Sequence, residues 1–429
     1  MNKLTNWMNR LVPSCAVLVF ATLLCSTQAA FGADKAACTL PSVPAASPEQ
    51  TAWQIFAAIN CTDASGKLAW ETWTEQTCLL DPTTKGCAEG GNHAHTLHGS
   101  VLEKSKLLLT TPLAAPAKGK LATHGDPANR LGNDCNAMTT TGPFAPANLA
   151  SSPQFCEEVY VNQAELSYIN APSGTPNPNL RTHNGQAAYI NTKAAIQFPT
   201  DAVELKIDWL PVTSLAAVEG QPAFSCKNKP KNVYVEEIEG VCYALAGVHI
   251  SSKLYPNWVW ATFEPQYGPS NPNRCKSNLY SDCNDPWGSN PAVVNNPSTD
   301  NTPTTATSKL TDPAKKLLTD AGVNPAFFNY RLTGAQTEYA NAGATKPVPL
   351  GNSFTEFNAG VLPQQSSCIT CHANAVLNAG VRPSQVNPNG SAFPGFPSTG
   401  FPVLPAPTPG QWNSLDFSWL LGIMPQASK

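Results

Sequence analysis

The chain has 429 residues, a formal charge of −3, and 13% charged against 42% hydrophobic residues. That balance excludes a disordered chain, which needs high charge and little apolar surface, and a nucleic-acid binder, which needs a basic surplus. Forty prolines exclude a helix bundle, because proline breaks helix interiors, and 14 cysteines point to cysteine chemistry in a loop-rich globular protein.

Residues 1–33 read as an export signal: Lys3 and Arg10 flank the start of the apolar run Leu11–Leu24, and small residues follow at Ala29, Ala30, Gly32 and Ala33. The run carries Pro13 and is short for a span of roughly 20 residues. No later stretch is apolar for long enough to cross a bilayer, so no stable membrane insertion is expected after signal cleavage. The expected location is periplasmic or secreted, where disulfides form.

Ser47-Pro48-Glu49-Gln50 predicts a capped helix running to about Ile59, with Trp53, Phe56 and Ala57 on one face. Leu68–Glu75 reads as a strand, and residues 81–155 as loop with one helix near 100–110. Strand-like runs follow at 157–161, 187–190, 203–210, 232–237, 241–250 and 257–263, which together predict an antiparallel sheet. Residues 284–308 read as a long surface loop, and Thr311-Asp312-Pro313 starts a helix that stops at Gly322. A helix is expected over about 364–378, an extended proline-rich wrap over 381–410, and a last short helix over Leu415–Leu421. The fold class is thus α+β: a β-rich antiparallel body at 34–350 with few helices and long loops, and a C-terminal segment at 351–429 packed on it.

Cys15 and Cys25 leave with the signal. Ten cysteines remain outside the motif described next: Cys38, Cys61, Cys78, Cys87, Cys135, Cys156, Cys226, Cys242, Cys275 and Cys283. The number is even, as a disulfide set requires, although spacing does not determine connectivity. Nearest-neighbour pairing gives 38–61, 78–87, 135–156, 226–242 and 275–283.

Cys368-Ile369-Thr370-Cys371-His372 is the one strong motif. Cys-x-x-Cys-His is the attachment signature of a c-type haem: two thiols add to the vinyl groups as thioethers, and the adjoining His is placed to ligate iron. A thioredoxin-like reading of Cys-x-x-Cys needs a βαβ context that this proline-rich region lacks. One motif implies one covalent haem c, with Cys368 and Cys371 as tethers and His372 as an iron ligand. The opposite axial position is open to three readings. His249 lies in an apolar run and needs a polar partner, which iron would be. Met424 lies near the C-terminus, and Met ligation raises the potential. The third reading is an open or water-filled site.

Other chemistry is weak. His93, His95 and His98 sit in a Gly-flanked loop, and His124 and His183 in polar loops. Glu157, Glu158, Glu165, Glu204 and Glu264 show no spacing that singles out a catalytic pair. Glu236, Glu237 and Glu239 form an acidic patch, a solvated turn or a dock for a basic redox partner. Trp258, Trp260 and Phe263 are expected beside the sheet.

Several segments resemble secreted bacterial mono-haem cytochrome c family proteins: Ala52-Trp53 to Asn60, Trp70-Glu71-Thr72-Trp73, Phe198-Pro199 to Trp209, His249-Ile250, Trp258 to Glu264, and Ser366-Ser367 before the motif. The family often carries a His after the position matching Glu264; Pro265 stands there in this chain, so any role of that His is lost. The resemblance implies haem binding and export, and supplies no substrate. The motif closes the chain instead of opening it, unlike a small stand-alone cytochrome c domain. The expected function is electron transfer with a redox partner protein or a small-molecule donor or acceptor. The alternative is a haem oxidoreductase of peroxidase or oxygenase type with an open or displaceable axial position.

Overall fold

The computed structural model describes residues 38–62, 66–80, 135–137, 154–170, 180–192, 195–213, 225–229, 232–238, 241–266, 285–290, 309–339, 350–352, 367–373, 375–377 and 413–424. The strands are β1 (Thr74–Glu75), β2 (Cys135–Ala137), β3 (Gln154–Val161), β4 (Val203–Pro211), β5 (Val235–Ile238), β6 (Val241–Ser252), β7 (Val259–Pro265), β8 (Ser289–Asn290), β9 (Lys309–Leu310), β10 (Tyr330–Gln336), β11 (Val376–Leu377) and β12 (Asn413–Ser414). The helices are α1 (Pro48–Ile59), α2 (Gln76–Leu80), α3 (Gln163–Asn170), α4 (His183–Thr192), α5 (Asp312–Asp320), α6 (Cys368–His372) and α7 (Trp419–Gly422).

Helix starts follow local chemistry. Ser47 Oγ accepts from Gln50 N at 3.2 Å, and Pro48, which has no N–H to leave unpaired, opens α1. Thr311 Oγ1 accepts from Ala314 N at 3.3 Å at the start of α5.

The main sheet among the described residues is antiparallel, in the order β1-β3-β4-β6-β7-β10, with β2 added to β3 and β5 to β6. Residues alternate between its two faces. On one face, Tyr160, Leu205, Ile207, Val248, Ile250, Phe263 and Leu332 form a buried core with Trp53 and Phe56 of α1 and with Phe327. On the other, the register aligns two neighbouring rows across the strands. One row reads Val161, Glu204, Ser251, Trp260, Gln336; the next reads Val159, Lys206, His249, Thr262, Gly334. A second buried cluster covers this face, drawn from α3, α4, Trp258, Trp260 and the C-terminal residues Ile369, Ala373, Leu415, Phe417, Leu421 and Met424.

The antiparallel α+β reading holds, with several local corrections. Residues 187–190 are not a strand but lie in α4, whose N–H at Gly185 is capped by Thr182 Oγ1 at 2.9 Å. Leu68–Glu75 is mostly a 3-10 turn at Ala69–Thr72, which buries Trp70 against Tyr160 at 5.0 Å; only Thr74–Glu75 is strand. Of the helix expected over 364–378, the described residues show α6, and Val376–Leu377 is strand instead, paired with Asn413–Ser414. The last helix begins at Trp419 and not at Leu415. The start of the 284–308 loop is not on the surface: Asp285 is fully buried and accepts from Trp53 Nε1 at 3.1 Å.

Disulfides join Cys38 to Cys61 and Cys226 to Cys242, two of the expected pairs. Cys78 and Cys156 are half-cystines as well. The pairings 78–87, 135–156 and 275–283 rest on side chains outside the described residues, as do the signal segment, the helix near 100–110 and His93, His95, His98 and His124. No helix among the described residues is long and apolar enough to cross a membrane.

Candidate functional site

The Cys368–His372 helix is anchored at its start by the edge strand β10. Gln336 Oε1 accepts from Ile369 N at 3.1 Å, and Gln336 Nε2 donates to Ser367 Oγ at 3.3 Å. Ser367 pairs with Leu350 in an isolated parallel bridge, and Cys368 Sγ lies 3.4 Å from the Leu350 carbonyl. Cys368 is half-buried and takes part in no disulfide. One helical turn carries Cys368, Cys371 and His372 at positions i, i+3 and i+4, the spacing that brings residues to a common side.

His372 is held from two directions. Its Nδ1 lies 2.8 Å from the Phe417 carbonyl, and its ring lies 4.3 Å from the Trp260 ring at a 43° tilt. A carbonyl oxygen only accepts, so Nδ1 carries the proton. In the neutral imidazole the lone pair is then on Nε2.

The Phe417 carbonyl comes from an unusual turn. Asp416 and Phe417 are successive non-glycine residues with φ of +52° and +68°, and Trp258 nearby has φ of +62°. Such left-handed backbone costs of order 1–3 kcal/mol per residue and persists only where the surroundings over-determine it. Here they do. Lys253 Nζ donates to Asp416 Oδ1 at 2.6 Å, Phe198 N donates to Asp416 Oδ2 at 2.7 Å, and Asp416 N donates to Ser414 Oγ at 3.0 Å. Burial pushes the Asp416 carboxyl upward, against the Lys253 charge. Beside it Glu165 is fully buried, and among the described residues neither carboxyl oxygen has a hydrogen-bond partner. Burial, then the Glu204 and Asp416 charges, raise Glu165 well above the usual carboxylate range, which favours its neutral form.

His249 sits one register row from Trp260 on the same sheet face. Its Nε2 lies 3.1 Å from Asp208 Oδ2. Gly247, the register partner of Asp208, leaves room that a Cβ would fill: it would stand 2.5 Å from Asp208 Oδ2 and 2.6 Å from Asn352 Nδ2. Met424 is fully buried in the same cluster as Ile369, Ala373 and Phe417. The fold therefore gathers Cys368, His372, His249 and Met424 on one side of the sheet. His183, expected in a polar loop, instead opens α4, with Nε2 3.2 Å from the Gly422 carbonyl.

Sequence reasoning missed Gln336, Lys253 and Asp416. A lone Lys or Asp in a short loop carries no local signal. It also read Glu165 and Glu204 as scattered, although the fold brings them together. Among the described residues no group of three or more His, Cys, Asp or Glu is disposed to hold a metal ion. In comparisons with known proteins, the chain matches no family model, no curated protein and no solved structure.

Proposed function

We propose that this chain is an exported c-type cytochrome that holds one covalent haem through Cys368 and Cys371, with His372 as an iron ligand, and transfers electrons through that haem. The observation that carries the reading is the His372 Nδ1 bond to the Phe417 carbonyl at 2.8 Å inside a Cys-x-x-Cys-His helix. A ligating imidazole characteristically donates its other N–H to a carbonyl or carboxylate, which fixes the ring and leaves ligation to the opposite nitrogen. The donor set fits the group in two further respects: Cys368 is outside the disulfide set, and the motif helix packs its Ile369 into an apolar cluster with Phe417, Leu421 and Met424.

When bound, haem c supplies one-electron redox chemistry at iron, with a potential set by axial ligands, burial and hydrogen bonding. The chain's own residues would tether the macrocycle, orient His372 and exclude water. For the sixth position our reading is His249, which would ligate through Nδ1 because Nε2 is turned to Asp208; Met424 is the competing ligand. The electron donor or acceptor is a redox protein or a small molecule. Export to the periplasm or beyond is supported by the basic–apolar leader in the sequence and by the two disulfides.

The test is the absorption spectrum of the dithionite-reduced protein with and without CO, after expression with haem-attachment machinery. A sharp low-spin spectrum unchanged by CO supports electron transfer with two protein ligands. A CO-shifted spectrum moves the reading to the haem oxidoreductase with an open or displaceable position. No haem spectrum overturns the proposal.

A further inference from the structure

We propose that the buried Lys253–Asp416 ion pair is the positioning device for His372: it locks the 415–418 turn so that the Phe417 carbonyl stays on Nδ1. Two buried jaws close on the imidazole. One is Phe417 at Nδ1, and the other is Trp260 against the ring face. Lys253 belongs to both. Its Nζ donates to Asp416 Oδ1 at 2.6 Å, next to Phe417 in sequence, and to the Pro256 carbonyl at 2.9 Å in the connection that leads to Trp260. That connection also holds the left-handed Trp258, whose ring lies 5.9 Å from Nζ.

The pair is badly placed for a purely stabilising role. Both side chains are almost wholly withdrawn from water, at 7% and 0% exposure. A desolvated ion pair generally does little for net stability and can be replaced by apolar groups. What the charges achieve here is geometric. A left-handed Asp-Phe step relaxes unless something holds it, and Lys253 and the Phe198 N–H grip the two carboxylate oxygens from separate elements. If the turn relaxes, the carbonyl swings off Nδ1 and the imidazole can take either tautomer. The consequence for iron rests on the haem reading above; the consequence for the tautomer does not.

The experiment uses the full chain labelled with 15N-histidine, His372 being assigned by its loss in His372→Gln. In protein expressed without haem-attachment machinery, the wild type should show His372 as a single Nδ1–H tautomer. Lys253→Met should give a mixture of tautomers, and Lys253→Arg, which keeps the charge, should restore one. In the haem-loaded protein, Lys253→Met should raise the reduction potential, because losing the bond at Nδ1 makes the ligand less basic. Folding is followed by far-ultraviolet circular dichroism. Should Lys253→Met not fold, Asp416→Asn, which keeps the shape and an acceptor for Phe198 N, asks the same question. A folded variant of either kind with wild-type 15N shifts and potential overturns the proposal. Failure of the wild type to take up haem would overturn the proposed function, while the tautomer measurement would still decide the positioning role.

Discussion

The two faces of the sheet are built on different terms. Under α1, aromatic rings meet edge to face or stacked: Trp53 on Phe263 at 4.9 Å, Phe56 on Phe263 at 4.0 Å, Phe56 on Phe327 at 5.7 Å. Two of the carboxylates buried there are matched to indole N–H groups, Glu158 to Trp209 at 2.7 Å and Asp285 to Trp53 at 3.1 Å. The opposite face holds the Lys253–Asp416 pair, the His249–Asp208 pair, Glu165 with neither oxygen bonded among the described residues, and the left-handed residues Trp258, Asp416 and Phe417. Packing alone requires none of these. Strained backbone persists only where its surroundings over-determine it, and here the Lys253–Asp416 pair and the left-handed Asp416–Phe417 step lead to the carbonyl that meets His372 Nδ1. The first face is chiefly aromatic packing; the second combines packing with buried charge and left-handed backbone.

That contrast can be broken or sharpened by substitution. Phe56→Ala, on the aromatic face, should lower unfolding free energy by about 3–5 kcal/mol in urea titration while leaving the His372 15N shifts unchanged; a loss under about 1 kcal/mol would mean this face is not the stabilising one. Replacing Cys38 and Cys61 together by Ser should cost about 2–4 kcal/mol, read from the same titration.

Glu75 offers a pH-resolved test on the aromatic side. Burial pushes its carboxyl up to about 7, opposed by hydrogen bonds from Thr77. A carboxyl whose folded pKa lies above its unfolded value contributes stability below the unfolded value, and loses it as pH rises through the folded one. Glu75→Gln should therefore raise stability at pH 8, where the wild-type charge is buried, and change it little at pH 4, for a difference of about 3 kcal/mol. Equal effects at both pH values would show that Glu75 titrates normally.

Gly247→Ala should cost about 1 kcal/mol by crowding, and should displace Asp208 from His249. If His249 is the sixth ligand, the haem-loaded variant will bind CO more readily than wild type; an unchanged CO response argues for Met424 or an open position. The smallest effect belongs to the exposed pair Lys316–Asp320 on α5. Lys316→Ala should move stability by no more than about 0.5 kcal/mol.

Much of the aromatic face was legible in sequence. Ser47 and Thr311 announce α1 and α5 because a hydroxyl capping an N–H three residues on is a local interaction. The runs at 203–210 and 241–250 read as strands because several apolar and β-branched residues accumulate in each. Legibility failed where a distant partner decided the outcome. The short apolar run at 187–190 fits either period, and α4 is tied to the C-terminal helix by Gln186 Nε2, which donates to the Leu421 carbonyl at 2.8 Å. Val376–Leu377 became strand because Asn413–Ser414 returned to pair with it.

The sequence by itself determined the sheet-rich class, the capped helices and the motif at Cys368, Cys371 and His372, since each depends on residues close together in the chain. Only the tertiary structure decided which nitrogen of His372 carries the proton, which face His249 shares with it, and how Lys253 meets Asp416 across 163 positions of sequence. Hydrogen bonds and ion pairs act over a few ångströms of space, and no local pattern records which distant residues the fold will bring within that range.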